Sequence, residues 1–492
     1  MVDDVRHMPD RTGTGGEISG PVATVSSAPA QTMEGFGASG AWWPIDLARF
    51  RPDVQEQVGA LLFGPPPGGI QLSVYRYNIG GGGTGVRAPS RAPETFLVRP
   101  GAYDWERDVG GRLFLRMAAG YGVPVLVGFV NSAPAIWTTT GTCTGGALVP
   151  GTERLYAGYL ADVVTRFHDA DGIAMSYVSP MNEPDYTFEG GGQEGMAVPV
   201  DQRAAVVGEL GAILASRAPY AQVIADESSQ VGSQFLPEVP GWMAVDGTPR
   251  RVAALAHHLY DFPDDSTLQS ARRMAARLNK PLWMTEICCA RSDSGTWGRQ
   301  YDPTIAGGLV LANLVWKSLT QAGDAAFHWW VALSSALGAD LVSDPEAPFQ
   351  VNGDGWNDGL LYYDPDYART GDQRIFMTKR YHVLGQFSRY VRPGARRHDV
   401  AGAAGPLRLL AFSGAGAWTI VAINNAAASA PPSPMRVQLP EGGGGPVIPV
   451  ETVETSALRS LEHVRPPQVS VGGRIEAMLP AQSITTFVFR FR

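Results

Sequence analysis

Basic residues, and lysine above all, are scarce in this 492-residue chain. Lysine and arginine together number 39 against 47 aspartate and glutamate residues, which gives a formal net charge of -8. The only lysines are Lys280, Lys317 and Lys379. A surface that binds nucleic acid has to neutralise phosphates, and no basic run here could do so. This charge balance therefore excludes nucleic acid as the partner.

Long apolar runs are also missing from the sequence. No uninterrupted segment approaches the roughly 20 apolar residues that a bilayer span requires, so the sequence predicts a soluble protein without a membrane partner. The first ten residues, MVDDVRHMPD, are polar and lack the apolar core of a secretory signal. We therefore expect a cytoplasmic protein if the sequence is complete, and a secreted one if a signal peptide has been removed.

Cysteine is too scarce to build a disulfide framework. The chain has Cys143, Cys288 and Cys289, and three thiols cannot all pair within one chain. Sequence neighbours such as Cys288 and Cys289 rarely bridge each other. A bond between Cys143 and either of them is geometrically possible if both loops share one mouth, and buried free thiols are the alternative.

The order of the predicted elements indicates the fold class. From Gly35 to residue 335, eight strand candidates alternate with helical patterns. This number matches an α/β protein with a (β/α)8 TIM barrel, because an open doubly wound sheet has five or six strands. In one predicted helix, Leu155, Tyr159, Val163 and Phe167 recur every four residues, which predicts one buried helix face.

The last hundred or so residues have a different pattern. Short alternating apolar runs are separated by proline, glycine and asparagine, which predicts an antiparallel β-sandwich. A chain of this length also exceeds what one hydrophobic core usually supports. We expect a poorly ordered tail at 1–20, a strand at 21–34 that joins the sandwich, the catalytic barrel at 35–384 and the sandwich domain at 385–492. No feature predicts an oligomer, so we favour a monomer.

Two apolar runs each end on a glutamate. The segments SPMNEP (179–184) and PLWMTE (281–286) place Glu183 and Glu286 at predicted strand ends, and Pro184 prevents the first strand from continuing. Catalytic side chains of a TIM barrel lie at the C-terminal ends of its strands. Two carboxylates about 5 Å apart can act as acid/base and nucleophile of a retaining glycosidase. We assign these roles to Glu183 and Glu286, respectively.

Other polar and aromatic residues lie at or near predicted strand ends. Arg76 beside Glu286 would keep that carboxylate ionised, while a second carboxylate would raise the pKa of Glu183. Indole rings offer flat faces for stacking against the C–H groups of a pyranose ring. The predicted substrate contacts are Trp43, Arg76, Asn131, Trp137, Asn182, His258, Tyr260 and Trp330.

Two patterns that could indicate a cofactor or a metal are weak. A G-x-G-x-x-G match at 35–40 is followed by Trp42, Trp43 and Pro44, where a dinucleotide site needs the start of a helix. Its glycines fit better in a strand that closely approaches its neighbour. The pair His257 and His258 lacks further ligands at metal-site spacing, so contact of His258 with a substrate hydroxyl is the better interpretation. We predict neither a cofactor nor a metal ion.

Taken in order, the motifs resemble glycoside hydrolase family 30. They are GFG (35–37), RYNIG (76–80), NSAP (131–134), SPMNEP (179–184) and TE (285–286). The resemblance implies a barrel with a side β-sandwich built from both termini. It also implies a retaining mechanism in which the acid/base follows an asparagine at the fourth strand and the nucleophile ends the seventh, which again selects Glu183 and Glu286.

Three segments of the chain bear on the substrate. The segments AWW (41–43), the glycine run at 80–83 and GTCTGG (141–146) look most like the endo-β-1,6-galactanase branch of the family. We therefore expect hydrolysis of β-1,6-galactan or galacto-oligosaccharides. The alternative is an exo-acting β-glucosidase, β-xylosidase or glucosylceramidase-like enzyme on a small glycoside. A non-catalytic carbohydrate-binding protein is the alternative from another class, and the presence of both carboxylates argues against it.

Overall fold

The computed structural model describes residues 18–440, 447–470 and 472–491. Most of the predicted N-terminal tail, residues 1–17, lies outside these ranges. The described chain contains a parallel barrel and a second, mostly antiparallel sheet that takes strands from both ends of the chain. This arrangement confirms the predicted fold class.

Eight parallel strands close into the barrel, and we number them first to eighth in chain order. The seventh strand pairs with the eighth, which in turn pairs with the first, so the sheet has no free edge within this ring. The strands are Gly35–Gly40, Val74–Asn78, Val125–Phe129, Tyr177–Ser179, Gln222–Ser228, Val252–His258, Leu282–Glu286 and Ala326–Ser334. Two further strands, Gly359–Tyr362 and Phe376–Met377, extend the sheet beyond the eighth.

The glycines at the start of the barrel are explained by strand packing. Residues 35–40 form the first barrel strand, with every residue buried. A Cβ at Gly37 would lie 2.4 Å from the carbonyl oxygen of Val74, and a Cβ at Gly40 would lie 2.0 Å from the hydroxyl of Tyr75. No other residue type allows the first and second strands to approach this closely. The segment is therefore a strand and not a dinucleotide-binding loop.

Helices surround the barrel. Asp264 caps one of them by accepting a hydrogen bond from the Thr267 N–H at 2.8 Å, and Asn279 ends it with a left-handed backbone (φ 54°). Among the described residues, no helix is both long and apolar enough to cross a membrane. The helices are Trp43–Leu47, Pro52–Phe63, Val109–Gly120, Glu153–Asp171, Val200–Arg217, Leu236–Met243, Thr248–Arg251, Asp265–Leu278, Ile305–Lys317, Tyr367–Thr370 and Lys379–Ser388.

The predicted buried face of helix Glu153–Asp171 is correct except at its start. Tyr159, Val163 and Phe167 are buried in the core, but Leu155 is 61% exposed. Leu155 lies in the first turn of the helix, which begins at Glu153. The prediction for Leu155 was wrong because a four-residue period does not show how far along a helix the packing partner extends.

The second domain is a ten-stranded, mostly antiparallel sheet. Strand Ala23–Thr32 pairs antiparallel with Arg396–Ala401 and parallel with Ser433–Gln438, so the N-terminal strand joins this sheet as expected. Apolar residues from both halves of the sheet form one buried cluster, so the sheet folds over on itself as a sandwich does. The other strands are Leu407–Gly414, Ala417–Asn424, Val447–Thr455, Glu462–His463, Gln468–Val469, Arg474–Leu479 and Ser483–Phe491.

Helix Lys379–Ser388 joins the two domains. The ring of Phe387 stacks on Phe36 of the first barrel strand with centroids 5.4 Å apart. The side-chain amide of Gln386 donates to Thr455 Oγ1 at 2.9 Å, and Thr486 Oγ1 donates to the Gln386 carbonyl at 3.1 Å. One helix therefore packs against the barrel and hydrogen-bonds to the sandwich.

We expect Phe387→Ala to lower the free energy of unfolding by about 3–5 kcal/mol, because it removes a fully buried ring and leaves a cavity at the domain junction. Chemical denaturation followed by circular dichroism measures this change. The control is Leu458→Ala, since Leu458 is 93% exposed and its truncation should change the stability by less than about 0.5 kcal/mol. Equal stability of the Phe387→Ala variant and the unchanged protein would contradict this packing role.

Candidate active site

A cleft of about 500 Å³ lies at the C-terminal ends of the barrel strands. Glu183 and Glu286 both line it, as does the loop that follows the seventh strand. Most of the remaining wall is aromatic, which is typical of sites that bind sugar rings. The aromatic residues of the wall are Trp42, Tyr186, Phe188, Tyr260, Trp297, Trp330 and Trp356.

The two predicted catalytic glutamates meet in this cleft. Glu286 is the last residue of the seventh strand, and Glu183 lies four residues after the end of the fourth. Glu183 has a left-handed backbone (φ 45°), and its N–H donates to the Glu227 carbonyl at 3.0 Å. One carboxylate oxygen of each glutamate lies within 4.8 Å of the other. The two groups can therefore act on one bond between them.

Two donors hold the carboxylate of Glu286. Arg76 Nη1 donates to Oε2 at 2.7 Å, and the hydroxyl of Tyr260 donates to Oε1 at 2.9 Å. The guanidinium of Arg76 is fully buried and lies 3.7 Å above the ring of Phe129. Glu286 is thus fixed in orientation and faces a positive charge that cannot be screened by water.

Arg76 also connects several other strands below the cleft. Its Nη2 donates to Asn182 Oδ1 at 2.6 Å and to Glu227 Oε2 at 3.2 Å, and its Nη1 donates to Ser39 Oγ at 3.2 Å. Arg76 and Asn182 were both predicted to contact substrate. The structure buries both side chains and directs Arg76 to the carboxylates. Arg76 therefore orients the reactive groups from beneath the cleft.

Glu227 is a third buried carboxylate at the site, and it was not among the residues predicted from the sequence. It lies near the end of the fifth strand, is fully buried, and also accepts hydrogen bonds from Thr285 and His258. Burial alone would raise the pKa of Glu227, but the charge of Arg76 and the bonds from His258 and Thr285 hold it well below its ordinary value. Its position near a strand end is the same signal that identified Glu286.

His258 bridges two carboxylates. Its Nδ1 lies 3.1 Å from Glu183 Oε1, and its Nε2 lies 3.0 Å from Glu227 Oε2. Burial lowers the pKa of His258, but the charge of Glu286 and the bonds to Glu183 and Glu227 raise it to about 10. The predicted contact of His258 with a substrate hydroxyl is therefore wrong, because both ring nitrogens already bind carboxylates and the ring is fully buried.

The environment of Glu183 differs from that of the other two carboxylates. Burial raises the pKa of Glu183 to about 7, although the hydrogen bond and charge of His258 act to lower it. The negative charges of Glu286 and Asp185 raise it further. A carboxyl group with this pKa carries a proton near neutral pH and can donate it.

Trp42, and not the predicted Trp43, lines the cleft. Trp43 is buried, donates its Nε1–H to the Ser39 carbonyl at 3.1 Å and packs on Phe114 with ring centroids 4.5 Å apart. The left-handed backbone at Trp42 (φ 68°) places the two neighbouring rings on different sides of the chain. Trp42 meets the predicted Trp330 edge-on at 4.9 Å, and both rings line the cleft.

Two other predicted substrate contacts lie apart from the cleft lining. Trp137 is buried and packs against Tyr156 and Tyr159 of helix Glu153–Asp171, with ring centroids 6.3 and 6.0 Å away. Asn131 is also buried, and neither of its amide atoms has a hydrogen-bond partner among the described residues. Trp137 therefore packs in the core and lies outside the cleft lining. The structure does not support the predicted stacking of its ring on sugar.

The cysteines differ from expectation. Cys288 and Cys289 form a disulfide with each other, and both line the cleft two and three residues after Glu286. Cys143 is a buried free thiol that donates to the Gly81 carbonyl at 3.2 Å, so it cannot bridge either of them. A left-handed backbone at Cys289 (φ 64°) accompanies the bond between the two neighbours.

Glu183, His258 and Glu286 are the one group among the described residues whose ligand atoms lie close enough to hold a metal ion. Their atoms are already bound to one another and to Arg76 or Tyr260. A protonated histidine cannot ligate a metal, and the raised pKa of His258 favours that form. The chemistry of these residues fits proton transfer and nucleophilic attack better than metal binding.

Solved structures with the same fold cover almost the whole chain. A conserved exported protein from Bacteroides fragilis is 21% identical with a TM-score of 0.76, over 95% of this chain and 100% of its own. The catalytic domain of a GH30 xylanase C from Talaromyces cellulolyticus is 22% identical with a TM-score of 0.70, over 95% and 99%. An endo-β1,6-glucanase is 17% identical with a TM-score of 0.68, over 96% and 94%. At these identities the likeness shows the fold.

A match between the sequence and a family model establishes which family the chain belongs to. The model of O-glycosyl hydrolase family 30 matches residues 22–340, which is more than half of the chain and includes both Glu183 and Glu286. The match confirms the predicted resemblance. The chain belongs to glycoside hydrolase family 30, and it is a glycoside hydrolase that acts on carbohydrate.

Proposed function

We propose that this glycoside hydrolase cleaves β-glycosidic bonds by double displacement with retention of configuration. The observation that carries the proposal is the distance of at most 4.8 Å between carboxylate oxygens of Glu183 and Glu286. Retaining enzymes hold their two carboxyl groups about 5–5.5 Å apart, whereas inverting enzymes need about 6.5–9.5 Å to admit a water molecule. The short separation leaves room for direct attack on the sugar and favours the covalent route.

The surroundings of the two glutamates support the proposed roles. Glu286 accepts from Arg76 and Tyr260, so its carboxylate is oriented and faces a positive charge, as a nucleophile requires. Glu183 has a pKa raised to about 7 by burial, so it carries the proton that the leaving oxygen needs. Glu286 is therefore the nucleophile and Glu183 the acid/base.

The reaction proceeds in two steps. In the first, Glu183 gives its proton to the glycosidic oxygen while a carboxylate oxygen of Glu286 bonds to the anomeric carbon, and the bond to the leaving group breaks. In the second, the Glu183 carboxylate takes a proton from water, whose oxygen attacks the same carbon and releases Glu286. His258 binds Glu183 Oε1 throughout and stabilises the carboxylate formed after the first step.

We propose β-1,6-linked galactose chains as the substrate. The cleft of about 500 Å³ has room for more than one sugar ring, and Trp42, Trp330 and Tyr260 offer ring faces and edges along it. The loop segments at 41–43, 80–83 and 141–146 resemble the endo-β-1,6-galactanase branch.

A panel of purified substrates tests the proposed specificity. It contains β-1,6-galactan, β-1,6-glucan, β-1,4-xylan and aryl β-glycosides, with products separated by chromatography. Release of galacto-oligosaccharides of several lengths from galactan is the expected result. Uniform release of monosaccharide would indicate exo action instead, and preferential hydrolysis of xylan or glucan would contradict galactan as the substrate.

Activity should depend on the protonation of Glu183. The pKa of Glu183 is raised to about 7, and the acid is required in its protonated form, which dominates below that pH. We expect kcat/KM to fall about tenfold per pH unit above pH ~7. Initial rates on an oligosaccharide between pH 5 and 9, in steps on the order of half a unit, measure the profile. Constant kcat/KM up to pH ~9 would refute this role.

Substitution of the two glutamates should give different losses. We expect Glu286→Ala to abolish turnover of every substrate, because no nucleophile remains. Glu183→Ala should lower kcat on oligosaccharides by about 10²–10⁴-fold, but less on aryl glycosides whose leaving group needs no proton. Azide added to Glu183→Ala should restore turnover and give a β-glycosyl azide.

The matched control for these variants is Glu189→Gln in the exposed loop that follows Glu183. It neutralises a carboxylate near the cleft without touching Glu183 or Glu286, so activity should stay within about twofold of the unchanged enzyme. Full turnover by Glu286→Ala, or an α-glycosyl azide from Glu183→Ala, would overturn the assigned roles.

A further inference from the structure

Among the described residues, the disulfide between Cys288 and Cys289 is the one cross-link between side chains in the cleft wall. It begins two residues after Glu286, and the Cys288 sulfur lies 3.9 Å from the Tyr260 hydroxyl that donates to the Glu286 carboxylate. Glu183 and Ser229 also line the cleft and supply polar groups. The loop that follows the proposed nucleophile therefore contributes sulfur to the cleft lining.

We propose that the Cys288–Cys289 disulfide is a specificity-determining surface that packs against the C–H face of the bound sugar. The proposal rests on the proposed function, since it concerns the same cleft. A disulfide has no hydrogen-bond donor, and its sulfur atoms are weak acceptors, so it makes an apolar contact with sugar carbons and a poor one with hydroxyl groups. It favours a sugar that turns C–H groups towards the disulfide.

The surroundings of the disulfide keep this surface fixed. The Cys289 N–H donates to the Asn357 carbonyl at 3.2 Å, and the Gly298 N–H donates to the Cys289 carbonyl at 3.1 Å. Gly298 follows Trp297, whose ring lines the same cleft and meets Tyr260 at 5.4 Å. The disulfide and the indole ring are thus carried by one anchored loop, and both line the cleft.

A second role for the disulfide is possible from geometry and predicts a different result. The Cys288 sulfur lies 3.9 Å from the Tyr260 hydroxyl, which donates to Glu286. If the disulfide acted only by positioning Tyr260, its loss would disturb the nucleophile and lower kcat. If it contacts the sugar in the ground state and the transition state alike, its loss raises KM with little change in kcat.

The first experiment compares the kinetics of the unchanged enzyme with those of the double variant Cys288→Ser/Cys289→Ser on the best substrate of the panel. The two serines add hydroxyl groups and remove the link. We expect KM to rise about tenfold and kcat to change less than about threefold, because a lost apolar contact weakens ground state and transition state equally. The control is Cys143→Ser, which keeps a donor to the Gly81 carbonyl and should leave both constants unchanged.

A second measurement covers the case in which the double variant does not fold. The unchanged enzyme is treated with a water-soluble phosphine, which gives two electrons to the disulfide. The S–S bond breaks, two thiols form with protons from water, and the phosphine takes the water oxygen as its oxide. KM should rise about tenfold, as in the variant, and return when oxidised glutathione restores the bond. Cys143→Ser should respond as the unchanged enzyme does.

The outcomes separate the two proposals. An unchanged KM after both treatments, or a fall in kcat alone, would overturn the assignment of the disulfide to sugar contact while leaving the glycosidase intact. Absence of hydrolysis on the whole panel by the oxidised enzyme would instead overturn the proposed function. In that case, quenching of tryptophan fluorescence by galacto-oligosaccharides, with and without the phosphine, still measures whether the disulfide contributes to sugar binding.

Discussion

The active site depends on the balance of charges buried below the cleft. Two positive side chains, Arg76 and His258, face three carboxylates in a region from which water is largely excluded. A buried charge without a partner costs several kcal/mol, so two carboxylates can be compensated and the third is most stable with a proton. The third is Glu183, because its one cationic contact, His258, is shared with Glu227. The neighbouring His328 adds no charge, since burial lowers its pKa to about 3. The different environments of two otherwise similar glutamates follow from this shortage of positive charge.

The barrel can hold this cluster of buried charges because its closed sheet fixes the positions of the strand ends. Arg76, Glu227, His258 and Glu286 come from four different strands, and the hydrogen bonds of the closed sheet set the distances between them. Residues at or just beyond the strand ends carry the local strain. Trp42, Glu183, Glu227 and Cys289 all have left-handed backbones, with φ between 45° and 68°. Such conformations are unfavourable for residues other than glycine and persist where the surrounding structure imposes them, which is common at functional sites.

Chemistry and recognition are built from different parts of the chain. The proposed reactive groups are Glu286 at a strand end and Glu183 in the loop after another strand, and buried side chains of the barrel hold both of them. They are therefore expected to serve any β-linked sugar that reaches them. Much of the cleft wall comes from the loops after the strands, including Trp42, Trp297 and the Cys288–Cys289 disulfide, whereas Trp330 belongs to the eighth strand. Membership of the family therefore establishes a glycoside hydrolase, while the identity of the sugar depends on side chains that vary without changing the fold. Helix Lys379–Ser388 and the sandwich pack outside the barrel, and their described residues contribute nothing to the cleft lining.

The sequence by itself determined the eight-stranded barrel, the mostly antiparallel second domain and the placement of Glu183 and Glu286 at one cleft. These follow from local patterns, namely apolar runs of strand length that stop at a polar residue or proline, and such patterns do not depend on distant contacts. Only the tertiary structure decided that His258 binds carboxylates instead of substrate, that Trp42 faces the cleft while Trp43 is buried, and that Cys288 bonds to Cys289. Glu227 had the same strand-end signal as Glu286, but its partners lie 151 residues away at Arg76 and 58 residues away at Thr285. The direction of a side chain after a left-handed turn, and the partner it meets across the barrel, are set by packing between segments far apart in sequence, which no local pattern records.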